Sequence, residues 1–133
     1  MVDHGDFWVR FWGVRGSIAC PGESTVGYGG NTSCVEMRCG SQLLIFDGGT
    51  GLRLLGQELE SEGRLDADFF YSHAHFDHIV GLPFFLPAYR SENRFQIWSG
   101  HLLPRLSMEE ALRAAMSVPL FPVPLEVFHA DMT

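Results

Sequence analysis

At 133 residues, with 46% apolar and 19% charged side chains, the chain is sized for one domain with its own core, which excludes a disordered tail and a second domain. Nine cations against sixteen acids give a net charge of −7, which excludes a general binder of long nucleic acid. All nine cations are Arg, so the lysine of a P-loop cannot be supplied.

The N-terminus, Met1-Val2-Asp3-His4-Gly5-Asp6, is acidic where a secretory signal is basic and then apolar. No apolar run reaches the ~18 residues of a membrane span, so the expectation is a cytoplasmic protein with no membrane partner. Residues 7–14 alternate Val9, Phe11 and Gly13 against Trp8, Arg10 and Trp12, a strand pattern. A Gly- and Pro-rich loop follows over 15–32. Residues 33–39 alternate again, and after Gly40-Ser41 the run Leu43-Leu44-Ile45-Phe46 reads as a strand covered on both faces. The two-residue gap between them predicts a hairpin.

Asp47-Gly48-Gly49-Thr50-Gly51 is a turn into a predicted helix over 52–62, where Leu52, Leu55 and Leu59 share a face and Gly63 stops it. A buried strand is expected at 68–72, then a loop with a short helical turn to Leu82. The aromatic, proline-rich stretch 83–89 reads as a wall or lid. A further strand falls at 95–98. Ser107 and Glu110 form a capping box for a last helix over 106–116. Pro119, Pro122 and Pro124 end it, and the tail is only weakly periodic. Strands alternating with helices predict a layered α/β domain. Cys20, Cys34 and Cys39 have no zinc-knuckle spacing and read as free thiols.

The chemistry concentrates in six residues. His73-Ala74-His75-Phe76-Asp77-His78 holds half of the chain's six histidines, directly after Phe69-Phe70-Tyr71. In an extended segment His73 and His75 project to one side, so two imidazoles can share one metal. Once the chain turns, Asp77 and His78 face a neighbouring position with one oxygen and one nitrogen donor. That distribution suits two borderline cations sharing a water that ionises near neutral pH. The bland alternative is a polar exposed loop, which three histidines and an aspartate at the end of a buried strand argue against.

The six residues resemble the HxHxDH motif of the metallo-β-lactamase-fold hydrolases. Phe11-Trp12-Gly13-Val14-Arg15-Gly16-Ser17, Tyr28-Gly29-Gly30-Asn31-Thr32-Ser33-Cys34 and Phe46-Asp47-Gly48-Gly49-Thr50-Gly51 resemble the successive N-terminal motifs of its phosphodiesterase-like branch, that of ribonuclease Z relatives and cyclic-phosphate phosphodiesterases. The likeness runs over about residues 7–124 with the motifs in order. It implies that His73 and His75 ligate a first metal and Asp77 and His78 a second, with Asp77 also orienting or deprotonating the attacking water. Two divalent ions are implied, Zn²⁺ suiting the donors best and Mn²⁺ or Fe²⁺ being the other choices. Asp47 would anchor the ligand loop from behind, or else be an ordinary turn aspartate. The loop at Gly29-Gly30-Asn31-Thr32 would pack near the site, or serve backbone geometry alone.

The family fold is an αβ/βα sandwich of two similar halves, and the resemblance covers the first half and the start of the second. The expectation is therefore one α/β domain over residues 1–133, truncated on its C-terminal side, with a mostly antiparallel, mixed sheet and flanking helices. The family's third histidine, bridging aspartate and last histidine lie well downstream of the motif. Here only His101, His129 and Asp131 follow, none in a matching motif, and His101 and His129 read as loop and tail residues. Half a sandwich exposes the sheet face that its mate would cover, an association signal. A homodimer, or association with a missing C-terminal half, is expected.

Two functions compete. One is a metal-dependent hydrolase of a small phosphodiester or cyclic phosphate, which Arg15 or Arg53 would touch unless they are structural. The other is a catalytically incomplete metal-binding or self-associating half-domain. A thiol enzyme lacks any Cys–His signature.

Overall fold

Alternation along the first two apolar segments builds a meander. In the computed structural model, which describes residues 7–133, β1 (Phe7–Gly13), β2 (Cys34–Cys39) and β3 (Gln42–Phe46) pair antiparallel, with Cys39 opposite Gln42 across the expected two-residue hairpin. The acidic segment Met1-Val2-Asp3-His4-Gly5-Asp6 lies outside the described residues. Antiparallel pairing stops at β3 because α1 (Gly51–Leu59) is a crossover helix. It returns the chain to β4 (Asp66–Phe70), which runs parallel to β3, and β5 (Arg94–Trp98) lies parallel to β4. The sheet is mixed, and its six strands lie side by side in chain order.

The sixth strand, β6 (Asp131–Met132), falls in the tail where periodicity predicted nothing, and pairs with Arg94 and Phe95. Asn93, 1% exposed, staples that edge. Its side chain accepts from the Leu65 amide at 2.8 Å and donates to the Pro87 carbonyl at 2.9 Å, while its own carbonyl accepts from Asp131 N. A buried amide with its bonds satisfied costs little and fixes register.

One face of the sheet is closed. Leu52, Leu55 and Leu59 of α1 pack with Leu43, Ile45, Ala67, Phe69 and Phe95 of the sheet, joined by Phe85 and Ala88. Each of these Leu, Ile and Phe side chains contributes about 1.5–3 kcal/mol when fully buried. Phe69 sits at the centre, edge-to-face with Phe85 (5.4 Å) and Phe95 (5.7 Å). The aromatic stretch 83–89 forms two 3-10 turns, Leu82–Phe84 and Leu86–Tyr89, and is a wall against α1. A last helix, α3 (Met108–Ala115), carries the predicted capping box: Ser107 Oγ accepts from Glu110 N at 3.1 Å and Glu110 Oε2 accepts from Ser107 N at 2.7 Å. Its Met108 and Leu112 join the same core.

Among the described residues the other face carries no helix. Register aligns Phe11, Val35, Phe46, Phe70 and Trp98 in one row across five strands. Phe11 is 67% and Trp98 51% exposed. The rings of Phe46 and Phe70, and of Phe70 and Trp98, stack at 5.3 and 6.2 Å. Among the described residues no helix is long and apolar enough to cross a membrane.

Candidate metal centre

Beyond Phe70 the chain leaves the sheet at the carboxyl ends of the parallel strands, where open α/β sheets place ligands. Tyr71 and Ser72 extend the strand direction. His75, in extended conformation, precedes the four-residue helix α2 (Phe76–Ile79), which turns Asp77 and His78 back toward the strand end. The backbone of the helix packs directly on the turn after β3. Gly48 N donates to His78 O at 2.7 Å, and Gly81 N donates to Gly48 O at 2.8 Å. Side chains would block this approach: a Cβ on Gly49 would lie 2.4 Å from Asp77 O, and one on Gly81 would lie 1.9 Å from Gly49 O.

The geometry gathers three imidazoles. Ring centroids of His73 and His75 are 4.4 Å apart and those of His73 and His78 are 4.0 Å apart. His78 Nδ1 lies 2.8 Å from Asp47 Oδ2, and its Nε2 lies 3.2 Å from Asp77 Oδ2. Asp77 Oδ2 also accepts from the Ser17 amide at 2.8 Å. That amide is the main reason the Asp77 carboxyl titrates below its ordinary range. Partial desolvation, then the neighbouring rings of His78 and His75, hold His73 below the usual histidine value. Among the described residues, Ser17 (φ 69°) and Asp47 (φ 59°) are the non-glycine residues with positive φ. Both flank this cluster, and left-handed backbone there is strain that the surroundings hold in place.

The remaining candidates scatter. Thr32 and Thr50 exchange side chain and backbone hydrogen bonds at 2.8 Å, so the 29–32 loop buttresses the turn at 47–51. Arg15 is spent on the Gly29 and Thr25 carbonyls. Arg53 faces outward on α1, in a cleft with Pro83 and Phe84. Asp131 pairs with Arg94 at the opposite end of the sheet, and His129 is exposed near Ala88. His101, which the sequence suggests is a bystander, instead comes within 6.5 Å of the His73 ring, its Nδ1 2.9 Å from Ser99 Oγ. The cysteines are free, and burial, then Glu36 and Asp47, push the Cys34 thiol far up, which keeps it protonated.

Sequence reasoning missed two partners. Ser17 acts through its backbone N–H, which no residue type signals. Ser72 stands immediately before the first histidine, and its hydroxyl contacts both Asp47 oxygens, at 3.0 and 2.8 Å. Beside the cluster a cleft of about 320 Å³ opens between Phe46, Asp47, Phe70, Ser72 and Trp98. A larger cavity of about 440 Å³ lies elsewhere, between α3, Ile97 and the tail, without the histidines.

One donor pair has the spacing that a shared cation needs. Two donors ~2.0–2.1 Å from one tetrahedral ion sit about 3.3 Å apart, close to the 3.2 Å between Asp77 Oδ2 and His78 Nε2. Among the described residues, no three His, Cys, Asp or Glu side chains converge to hold one ion.

No family model matches the chain, and no curated protein matches it. Two solved structures resemble it. One is a new diphosphatase of the PhnP family, 18% identical, with TM-score 0.54, covering 94% of this chain and 48% of that one. The other, from Thermotoga maritima, is provisionally assigned as a metallo-β-lactamase; it is 17% identical with TM-score 0.39 over 69% of this chain and 43% of that one. The chain has the α/β metallo-β-lactamase fold, a six-stranded mixed sheet with flanking helices. It spans about half the length of the diphosphatase it matches.

Proposed function

We propose that the chain carries half of a metal-dependent hydrolase site for a small phosphodiester or cyclic phosphate, with His73, His75, Asp77 and His78 as ligands of two divalent ions. The observation that carries this reading is the gathering of three imidazoles and Asp77 beyond the parallel strand ends, with Asp47 bonded to His78. His73 and His75 would hold one ion, Asp77 and His78 the other. Zn²⁺ suits nitrogen and carboxylate donors best, with Mn²⁺ or Fe²⁺ as alternatives. Bound there, the ions would supply Lewis acidity to phosphoryl oxygens and lower the pKa of water toward neutrality. Asp77, kept ionised by the Ser17 amide, would orient the attacking water and accept its proton. The diphosphatase likeness supports a phosphorylated substrate, and the charge of −7 favours a small one over a long polyanion.

The test is elemental analysis of protein purified without chelators, beside His75→Ala, followed by hydrolysis of bis(4-nitrophenyl) phosphate. Close to two metals per chain, lost in the variant, and metal-dependent hydrolysis are expected. A metal content that His75→Ala leaves unchanged would overturn the ligand assignment.

A second reading rests on the donor count. Because no three donors converge among the described residues, this reading makes the chain alone a metal-binding half-domain that does not turn over until its site is completed. We propose that a second copy of this chain seats on the row Phe11, Val35, Phe46, Phe70 and Trp98. A five-strand sheet face with this apolar row at its edge is on the order of the 800 Å² per partner of a standard interface. Sedimentation at micromolar concentration is expected to give a dimer; a monomer would refute this pairing.

A further inference from the structure

Ser72 sits where the strand direction ends and the histidine cluster begins. Its amide donates to Asp47 Oδ1 at 2.8 Å, and its Oγ lies 2.8 and 3.0 Å from the two carboxylate oxygens. The same Oγ lies 3.0 Å from His73 Nδ1. His78 Nδ1 reaches Asp47 Oδ2 at 2.8 Å. One small hub therefore touches two of the three clustered rings.

Proton accounting makes the hub directional. An ionised Asp47 can only accept, and Ser72 has a single hydroxyl proton. A hydrogen bond to a charged acceptor is about twice as strong as one to a neutral ring nitrogen, so the Ser72 proton goes to Asp47. Its oxygen is then left as an acceptor toward His73, which must offer Nδ1–H. His78 must likewise offer Nδ1–H to Asp47. Which ring nitrogen carries the proton is set by the hydrogen bond the other makes.

We propose that Ser72 is a positioning residue which, with Asp47, holds the proton on Nδ1 of His73 and His78, leaving the Nε2 lone pair of His73 free for a ligand and turning Nε2 of His78 toward Asp77 Oδ2 at 3.2 Å. A solvated imidazole favours the opposite tautomer, so the lock works against the ring's own preference. No hydrogen bond reaches the His75 ring among the described residues, which makes it the internal comparison. The tautomer assignment stands without any bound ion; its consequence for metal affinity rests on the metal-hydrolase reading.

The test is long-range proton–nitrogen correlation NMR of the imidazoles in uniformly ¹⁵N-labelled, chelator-treated protein at pH 8. Wild type is expected to show Nδ1–H for His73 and His78 and predominantly Nε2–H for His75. Ser72→Ala should return His73 to the solvated pattern while His78 stays locked by Asp47, and Ser72→Thr should restore the wild-type pattern. His73 in the Nε2–H form in wild type would overturn the proposal, as would a His73 pattern that Ser72→Ala leaves unchanged. If Ser72→Ala fails to fold, the wild-type and Ser72→Thr spectra still decide it. Titration with Zn²⁺ gives a second readout, with binding 10–100-fold weaker in Ser72→Ala expected. Locked tautomers in a protein that binds no Zn²⁺ would sink the hydrolase reading and leave the Ser72 assignment standing.

Discussion

Phe69 and Phe70 are adjacent in β4, of identical chemistry, and face opposite worlds. Phe69 is fully enclosed by Phe85, Phe95 and the leucines of α1, whereas Phe70 lies in an open row between Phe46 and Trp98. Both sheet faces carry apolar rows, yet among the described residues one has been closed by the chain itself and the other has not. Apolar content alone does not reveal which face is the core. The covered face holds the fold together, and the uncovered one describes what the fold needs next to it.

The contrast can be broken at its strongest point. Phe69→Ala should cost about 3–5 kcal/mol through cavity formation. Phe70→Ala should cost about 1–2 kcal/mol, chiefly lost stacking, within one chain. Urea unfolding of the separated monomers measures both, and sedimentation should show Phe70→Ala, not Phe69→Ala, weakening self-association selectively. Equal stability losses would mean the open row is as well buried as the core.

A smaller effect links the covered side to the site. Gly81→Ala puts a Cβ into the Gly49 carbonyl, so α2 must shift from the β3 turn, at about 1–3 kcal/mol. Metal content should fall with it. Gly27→Ala, with open space around it, should change neither. Metal binding that survives Gly81→Ala would show that α2 needs no such close docking.

The smallest effect concerns the α3 cap at the margin of the covered face. The Ser107 amide holds the Glu110 carboxyl below its ordinary value, so folding favours the ionised form. That stabilisation is complete above the unfolded Glu pKa of about 4.3 and disappears as pH falls through the lower folded value. Glu110→Gln keeps the hydrogen bond but not the charge. The melting temperature of wild type should exceed that of the variant at pH 6, with the gap closing toward pH 3. A gap that persists at pH 3 would assign the cap to something other than charge.

Much of this was legible because it is local. Alternation located β1 and β2, the continuous apolar run Leu43-Leu44-Ile45-Phe46 located β3, Leu52, Leu55 and Leu59 named the buried stripe of α1, and Ser107 with Glu110 announced α3. Boundaries moved where local signals are weak: α1 ends at Leu59, with turns filling the span to Gly63, and β4 begins two residues early, at Asp66. Strand β6 is too short to show a period and exists because Asn93 offers it a partner. In the site, clustered histidines were visible as spacing, but the nearness of His101 to His73 depends on where β5 ends relative to β4. The amide of Ser17 is sixty residues from Asp77 in sequence, and a backbone donor leaves no mark in composition.

The left-handed backbone at Ser17 sets selection for durability against selection for the site. Replacing Ser17 by glycine would remove about 1–2 kcal/mol of steric cost, partly offset by a more flexible unfolded chain. The same relief would loosen the amide that aims at Asp77. A search for heat-resistant descendants of this chain should therefore find this position early, and those descendants should hold Asp77 less firmly than their parent.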